Sequence, residues 1–160
     1  MAIEFDTLDS GIKVVTEEIS TIESASVGVW IGAGSRHENK RECGIAHFLE
    51  HMAFKGTNTR SALQIAEAIE NVGGFINAYT SKEITCYYAK VLKEDIPLAV
   101  DILSDIISNS VYKSEEIERE KGVIIQEIGK MKDTPDEFIF EILQQVASVS
   151  YTHLTLPTIM

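Results

Sequence analysis

From Ala25 to Ile31 apolar side chains fall on alternate positions, Val27, Val29 and Ile31 against Gly28 and Trp30. That period of two predicts a strand with one covered face. Gly11 to Thr16 reads as an earlier strand. Gly32, Gly34 and Ser35 break the pattern, and Ser35 to Lys40 is a polar loop. A helical period follows from about Cys43 to Phe54, with Gly56, just beyond Lys55, as its C-terminal cap. Ser61 to Gln64 has the form of a capping box. It opens a second helix with an apolar stripe of Leu63, Ile65, Ala66, Ile69 and Val72, and Gly73-Gly74 ends it. Phe75 to Thr80 and Ile84 to Leu92 are rich in strand formers and predict a hairpin around Ser81-Lys82-Glu83.

Asp95, with Pro97 in the first turn, opens a third helix whose Ile96, Val100, Leu103 and Ile107 recur at helical spacing. Ser114 is placed to cap a fourth, with Glu115, Glu116 and Glu118 near its positive end. Asp133-Thr134-Pro135 interrupts it, and a fifth helix runs from about Pro135 towards Val146. Two strands, two helices, two strands and then helices predict an α+β fold with an antiparallel or mixed sheet packed against helices.

Composition narrows the partners. The chain has 160 residues, 44% hydrophobic and 24% charged, which suits one domain with a real core. A net charge of -11 argues against nucleic acid or an anionic membrane as partner. A basic peptide fits better, although acidic surfaces also serve solubility alone. Cys43 and Cys86 make no disulfide framework and suit a reducing compartment. The first residues resemble neither a secretory signal nor a transit peptide, and no stretch has the length of a membrane span. The expectation is a soluble protein of a bacterial cytoplasm, with the mitochondrial matrix as alternative. Residues 148–160 drop both the helical period and the acidic character, and Val149 to Thr158 resembles one reading frame of a sequencing adapter. The native sequence is therefore expected to run to about Ala147 and then to continue differently.

The chemistry centres on His47-Phe48-Leu49-Glu50-His51. Residues four apart share a helical face, so both imidazoles can reach one metal ion, with Glu50 between them. A zinc hydrolase needs such ligands, an open position for water and a nearby base. Glu50 is better cast as that general base than as a ligand. His37 lies in the polar loop and His153 in the tail, so the missing ligand should be a carboxylate. In the fourth helix Ile117, Ile124, Ile128 and Met131 form a stripe that includes Glu120 and Glu127, while Glu118 points away. Carboxylates facing a core require a partner or a metal. Periodicity equally allows these two to sit at the stripe's edge and reach solvent.

The five-residue motif is the inverted zincin pattern H-x-x-E-H. Its setting from Gly44 to Thr57, the block Gly73 to Ser81 and the block Glu118 to Ile128 together resemble the pitrilysin-type (M16) zinc metallopeptidases. The likeness is strongest to the processing-peptidase branch and its bacterial relatives, and covers residues 3 to about 147. It implies one Zn2+ ion held by His47, His51 and Glu127, with Glu120 bracing a ligand histidine. It implies that Asn77, Ala78 and Tyr79 lie on an edge strand that pairs with the substrate backbone. Phe54 would line the pocket for the residue after the cut. Glu137 and Glu141, one helical turn apart, would face an arginine before it, although an ordinary solvated face reads the same way. The same resemblance implies a considerably longer chain, whose second half or partner subunit supplies an arginine and a tyrosine that help hold the substrate. A zinc endopeptidase is the expected activity, weak or absent in these 160 residues alone. The alternatives are a non-catalytic structural or substrate-guiding subunit and a purely structural zinc site, which would need a fourth protein ligand.

Overall fold

The computed structural model describes residues 3–147, and among them the side chains of 137, 141 and 144–147 are left aside. The expectation for the tail at 148–160 therefore lies outside the described residues, as do the side-chain roles given to Glu137 and Glu141.

Among the described residues five strands and five α-helices follow one another as β1 (Ile3–Thr7), β2 (Lys13–Glu17), β3 (Ser24–Ile31), α1 (Ile45–Ala53), α2 (Ala62–Glu70), β4 (Phe75–Thr80), β5 (Thr85–Leu92), α3 (Ile96–Ser108), α4 (Ser114–Lys132) and α5 (Pro135–Ala147). β1 and β2 pair as a separate two-stranded antiparallel sheet, and β3, β5 and β4 form a second sheet in that order. Each described pairing is antiparallel, which resolves the sheet type within the expected α+β class.

The sheet has two unlike faces. Val27 lies opposite Ala89, Val29 opposite Tyr87, Ile76 opposite Ala89 and Ala78 opposite Tyr87, so these side chains share one face. Helices cover that face, contributing Ala53, Ile65, Ile69, Ala99, Ile102, Leu103 and Ile106 to the core. Trp30 and Phe75 stand exposed on the other. α3 packs on β5 and β3, α1 and α2 pack on β4, and α4 lies against α1.

Several local expectations change. β1 went unread, although Ile3 and Phe5 alternate with Glu4 and Asp6; all five of its residues are exposed. Ser114 is the first residue of α4 and not its cap, because the Ile117 N–H already donates to the Lys113 carbonyl at 3.0 Å. α1 ends on Phe54, so Gly56 does not cap it. Gly56 instead takes φ +118° in a bridge to Ser61, with the Arg60 carbonyl 3.2 Å from where a Cβ would stand. In α3 the buried face runs through Ala99, Ile102, Leu103 and Ile106, while Ile96 and Val100 are exposed. Packing on β5 selected a neighbouring helical row, since several rows of this helix are apolar enough to serve.

Candidate metal centre

α1 presents His47, Glu50 and His51 to the interior, with Glu50 only 2% exposed. A carboxylate eight positions before Ala46 sets the start of this helix. Glu38 Oε2 accepts the Gly44 N–H at 2.7 Å and Oε1 accepts the Ala46 N–H at 2.8 Å. Two donors at the helix N-terminus are thereby satisfied at once, and the negative charge suits that end of the dipole. The loop holding Glu38 is itself anchored to the β4–β5 turn, where Ser35 and Arg36 N–H groups donate to the Ser81 and Lys82 carbonyls.

α4 crosses this helix and brings two acids to it. His47 Nε2 and His51 Nε2 lie 3.2 Å apart, and each is 3.7 Å from Glu127 Oε2. Four-coordinate zinc with bonds of about 2.1 Å keeps its ligand atoms roughly 3.4 Å apart, so this triangle has the right edge lengths. Among the described residues, these three side chains form the one group whose ligand atoms converge this way. The donor set, two imidazoles and a carboxylate, suits zinc and leaves a position for water.

The surroundings prepare the imidazoles for a metal. Burial, and secondarily the neighbouring His51 ring, push the pKa of His47 down to about 4, so the ring is neutral at pH 7. His51 Nδ1 lies 3.0 Å from Glu120 Oε2, and Lys55 Nζ is 2.7 Å from Glu120 Oε1. Burial alone would raise the Glu120 carboxyl, but the hydrogen bonds from Lys55 and His51 outweigh it and hold the group below its ordinary value. Donation from Nδ1 fixes the His51 tautomer with the Nε2 lone pair towards His47 and Glu127. Beside the site, burial and then the field of Glu50 raise the hydroxyl of Tyr87 well above its usual range.

The structure thus brings His47, Glu50, His51, Glu120 and Glu127 together, and the two acids left open by periodicity both face α1. Phe54 packs half-buried against Tyr87, with ring centroids 6.2 Å apart. Asn77, Ala78 and Tyr79 lie on β4, which among the described residues is an edge strand of its sheet and a neighbour to α1. The Ser81 N–H donates to the Ile84 carbonyl, one pair beyond Thr80–Thr85. Antiparallel pairs alternate between bonded and non-bonded, so the backbone groups of Ile76, Ala78 and Thr80 point away from β5 to the open edge. The Ala78 N–H there meets Asn77 Oδ1 at 2.8 Å.

Two supporting residues escaped the sequence reading. Glu38 carries no local signal, being one acid in a polar loop. Lys55 was legible, since it follows His51 by one helical turn. A third group, Asp105, interrupts the apolar face of α3 and accepts hydrogen bonds from Thr57, Thr59, Arg60 and Asn109. It ties the loop that leaves α1 to the core.

Comparison with known proteins shows the family. Over 139 residues the chain is 48% identical to a protein of Bacillus subtilis named as the uncharacterized zinc protease YmxG, covering 87% of this chain and 34% of that protein. Over 140 residues it is 51% identical to the human mitochondrial-processing peptidase subunit beta, covering 88% of this chain and 28% of that one. A solved protease from Helicobacter pylori superposes with a TM-score of 0.75 at 30% identity, over 79% of this chain and 30% of that one. The chain therefore spans about a third or less of the length of these relatives. Residues 13–159 match the family described as insulinase, peptidase family M16, and the chain belongs to that family of metallopeptidases.

Proposed function

We propose that this chain is the metal-binding part of a zinc endopeptidase acting on extended, basic peptides. His47, His51 and Glu127 are the ligands, and Glu50 is the general base. The observation that carries the reading is the triangle of ligand atoms with 3.2 and 3.7 Å edges on a helix that also buries Glu50. A bound zinc supplies Lewis acidity there, lowering the pKa of a coordinated water to about 7. Glu50 takes a proton from the attacking water onto its carboxylate and returns it to the departing amine. Glu120 holds His51 in the tautomer that ligation needs.

The open edge of β4 receives the peptide as an added strand, with Ile76, Ala78 and Thr80 offering backbone groups. Asn77 and Tyr79 flank Ala78 on the opposite face, and Asn77 releases the Ala78 N–H as the peptide pairs. Phe54 borders the position after the cut, and Glu137 with Glu141 favours arginine before it, in keeping with the net charge of -11. A further segment of protein, in the same chain or a partner subunit, completes the grip on the substrate carbonyl. Bacterial cytoplasm is the proposed location, with the mitochondrial matrix as alternative.

Zinc titration against a chromophoric chelator tests the reading. One ion should bind, His47→Asn and Glu127→Gln should lose it, and Glu50→Gln should keep it. Loss of zinc in Glu50→Gln would make that residue a ligand and overturn its role as base. The 160 residues alone should cleave Arg-containing peptides weakly or not at all, because few groups besides the metal stabilise the transition state. Vigorous cleavage would refute the need for a further segment.

A further inference from the structure

We propose that Lys55 is a positioning residue of this centre, clamping the Glu120 carboxylate so that its second oxygen faces His51. The inference rests on the zinc reading above. Glu120 is gripped at both oxygens: Oε1 lies 2.7 Å from Lys55 Nζ and Oε2 lies 3.0 Å from His51 Nδ1. The two gripping side chains stand four residues apart at the end of α1. The Lys55 N–H still donates to the Met52 carbonyl at 3.1 Å, so the backbone keeps a helical course past the Phe54 cap and sets Lys55 over the same face.

The Glu120 side chain is only 3% exposed, whereas that of Lys55 is 30% exposed. A carboxylate so deeply buried requires an opposite charge to offset its desolvation. The ammonium meets that requirement from the solvent side. Its position also selects the carboxylate's orientation, because one oxygen is committed to Lys55 and the other is left for Nδ1. His51 consequently presents Nε2 to His47 and Glu127. An ammonium beside the last turn of α1 is further favoured by the helix dipole.

Zinc affinity, measured by chelator competition for each variant alongside a melting curve of its metal-free form, tests this. Lys55→Met should lower affinity about 10–100-fold, the range for loss of a ligand's outer partner. Lys55→Arg, which also meets a carboxylate, should return it to within about threefold of the unchanged chain. In a Glu120→Gln background Lys55→Met should alter affinity by less than about twofold, since coupled residues are not additive. The inference is overturned by unchanged affinity in Lys55→Met, by failure of Lys55→Arg to restore it, or by an equal loss in the exposed control Lys40→Met. A loss that persists undiminished beside Glu120→Gln overturns it equally. Should Lys55→Met fail to fold, the double variant lacks the buried charge, and its comparison with Glu120→Gln alone decides. A chain that binds no zinc at all overturns the site reading and this inference with it. A zinc-binding chain indifferent to Lys55→Met overturns this inference alone.

Discussion

His51 Nδ1 and Glu120 Oε2 lie 3.0 Å apart although 69 positions separate them in the chain. This contact joins α1 to α4 and sets the orientation of the His51 ring. Replacing Glu120 by Ala removes the acceptor and leaves the ring free to turn. Zinc affinity should fall about 10–100-fold, read by chelator competition. An unchanged affinity would reduce the contact to packing.

His47 gives the metal-free chain a defined acid sensitivity. Its pKa is about 4 when folded, against 6.5 for the ordinary group. Between these values the unfolded chain binds more protons, so stability is full above pH 6.5 and falls as pH drops towards 4. The loss should reach at most about 3 kcal/mol. Urea unfolding of chelator-treated protein across that window should show the slope, and His47→Asn should flatten it.

Glu38 should matter to the site without touching it. Glu38→Ala leaves the Gly44 and Ala46 N–H groups without their carboxylate, at a cost of about 1–2 kcal/mol in urea unfolding. Zinc affinity should weaken as well, because the capped turn directly precedes His47. A variant as stable as the unchanged chain would show that water replaces the cap.

Asp105 adds a second acid sensitivity of the same sign, at lower pH. Burial would raise its carboxyl, but hydrogen bonds from Thr57, Asn109, Thr59 and Arg60 outweigh burial and hold it well below the usual carboxylate range. A depressed carboxylate stabilises above the unfolded value near 3.9 and loses that contribution as pH falls through the folded value. Asp105→Asn should therefore cost about 2–4 kcal/mol at neutral pH. The gap from the unchanged chain should narrow below about pH 4. Stability curves of both proteins from neutral pH into acid check the sign.

The open edge of β4 can be tested at one atom. The Ala78 N–H points away from β5, so Ala78→Pro removes the edge donor without removing a ladder bond. Binding of an extended basic peptide, followed by fluorescence anisotropy, should weaken at least about tenfold, taking one charge-free edge pairing at about 1.4 kcal/mol. Zinc affinity should stay unchanged. Equal peptide binding would move the substrate away from β4.

Much of this protein was legible because helices and hairpins are local. The His47, Glu50 and His51 face follows from a spacing of three and four residues, and the β4–β5 hairpin from two strand-like runs around a short polar turn. Where several answers were locally equivalent, prediction slipped. α3 has more than one apolar row, and only contact with β5 and β3 chose Ile102 and Ile106 over Val100. The alternation in β1 was present, but its exposed residues report no core.

By itself the sequence singled out the His47–His51 pair and Glu50 beside it, the order of most elements and the family resemblance, all carried by short-range spacing or contiguous blocks. The direction of the third candidate ligand was decided only in three dimensions. Helical period allowed Glu120 and Glu127 to face either solvent or core, and the packing of α4 on α1 removed the first choice for Glu120 and brought Glu127 to 3.7 Å from both rings. Glu38 gained its role in the same way. A charge in a loop acquires a partner only when folding closes the distance, and no periodicity in the chain encodes that closure.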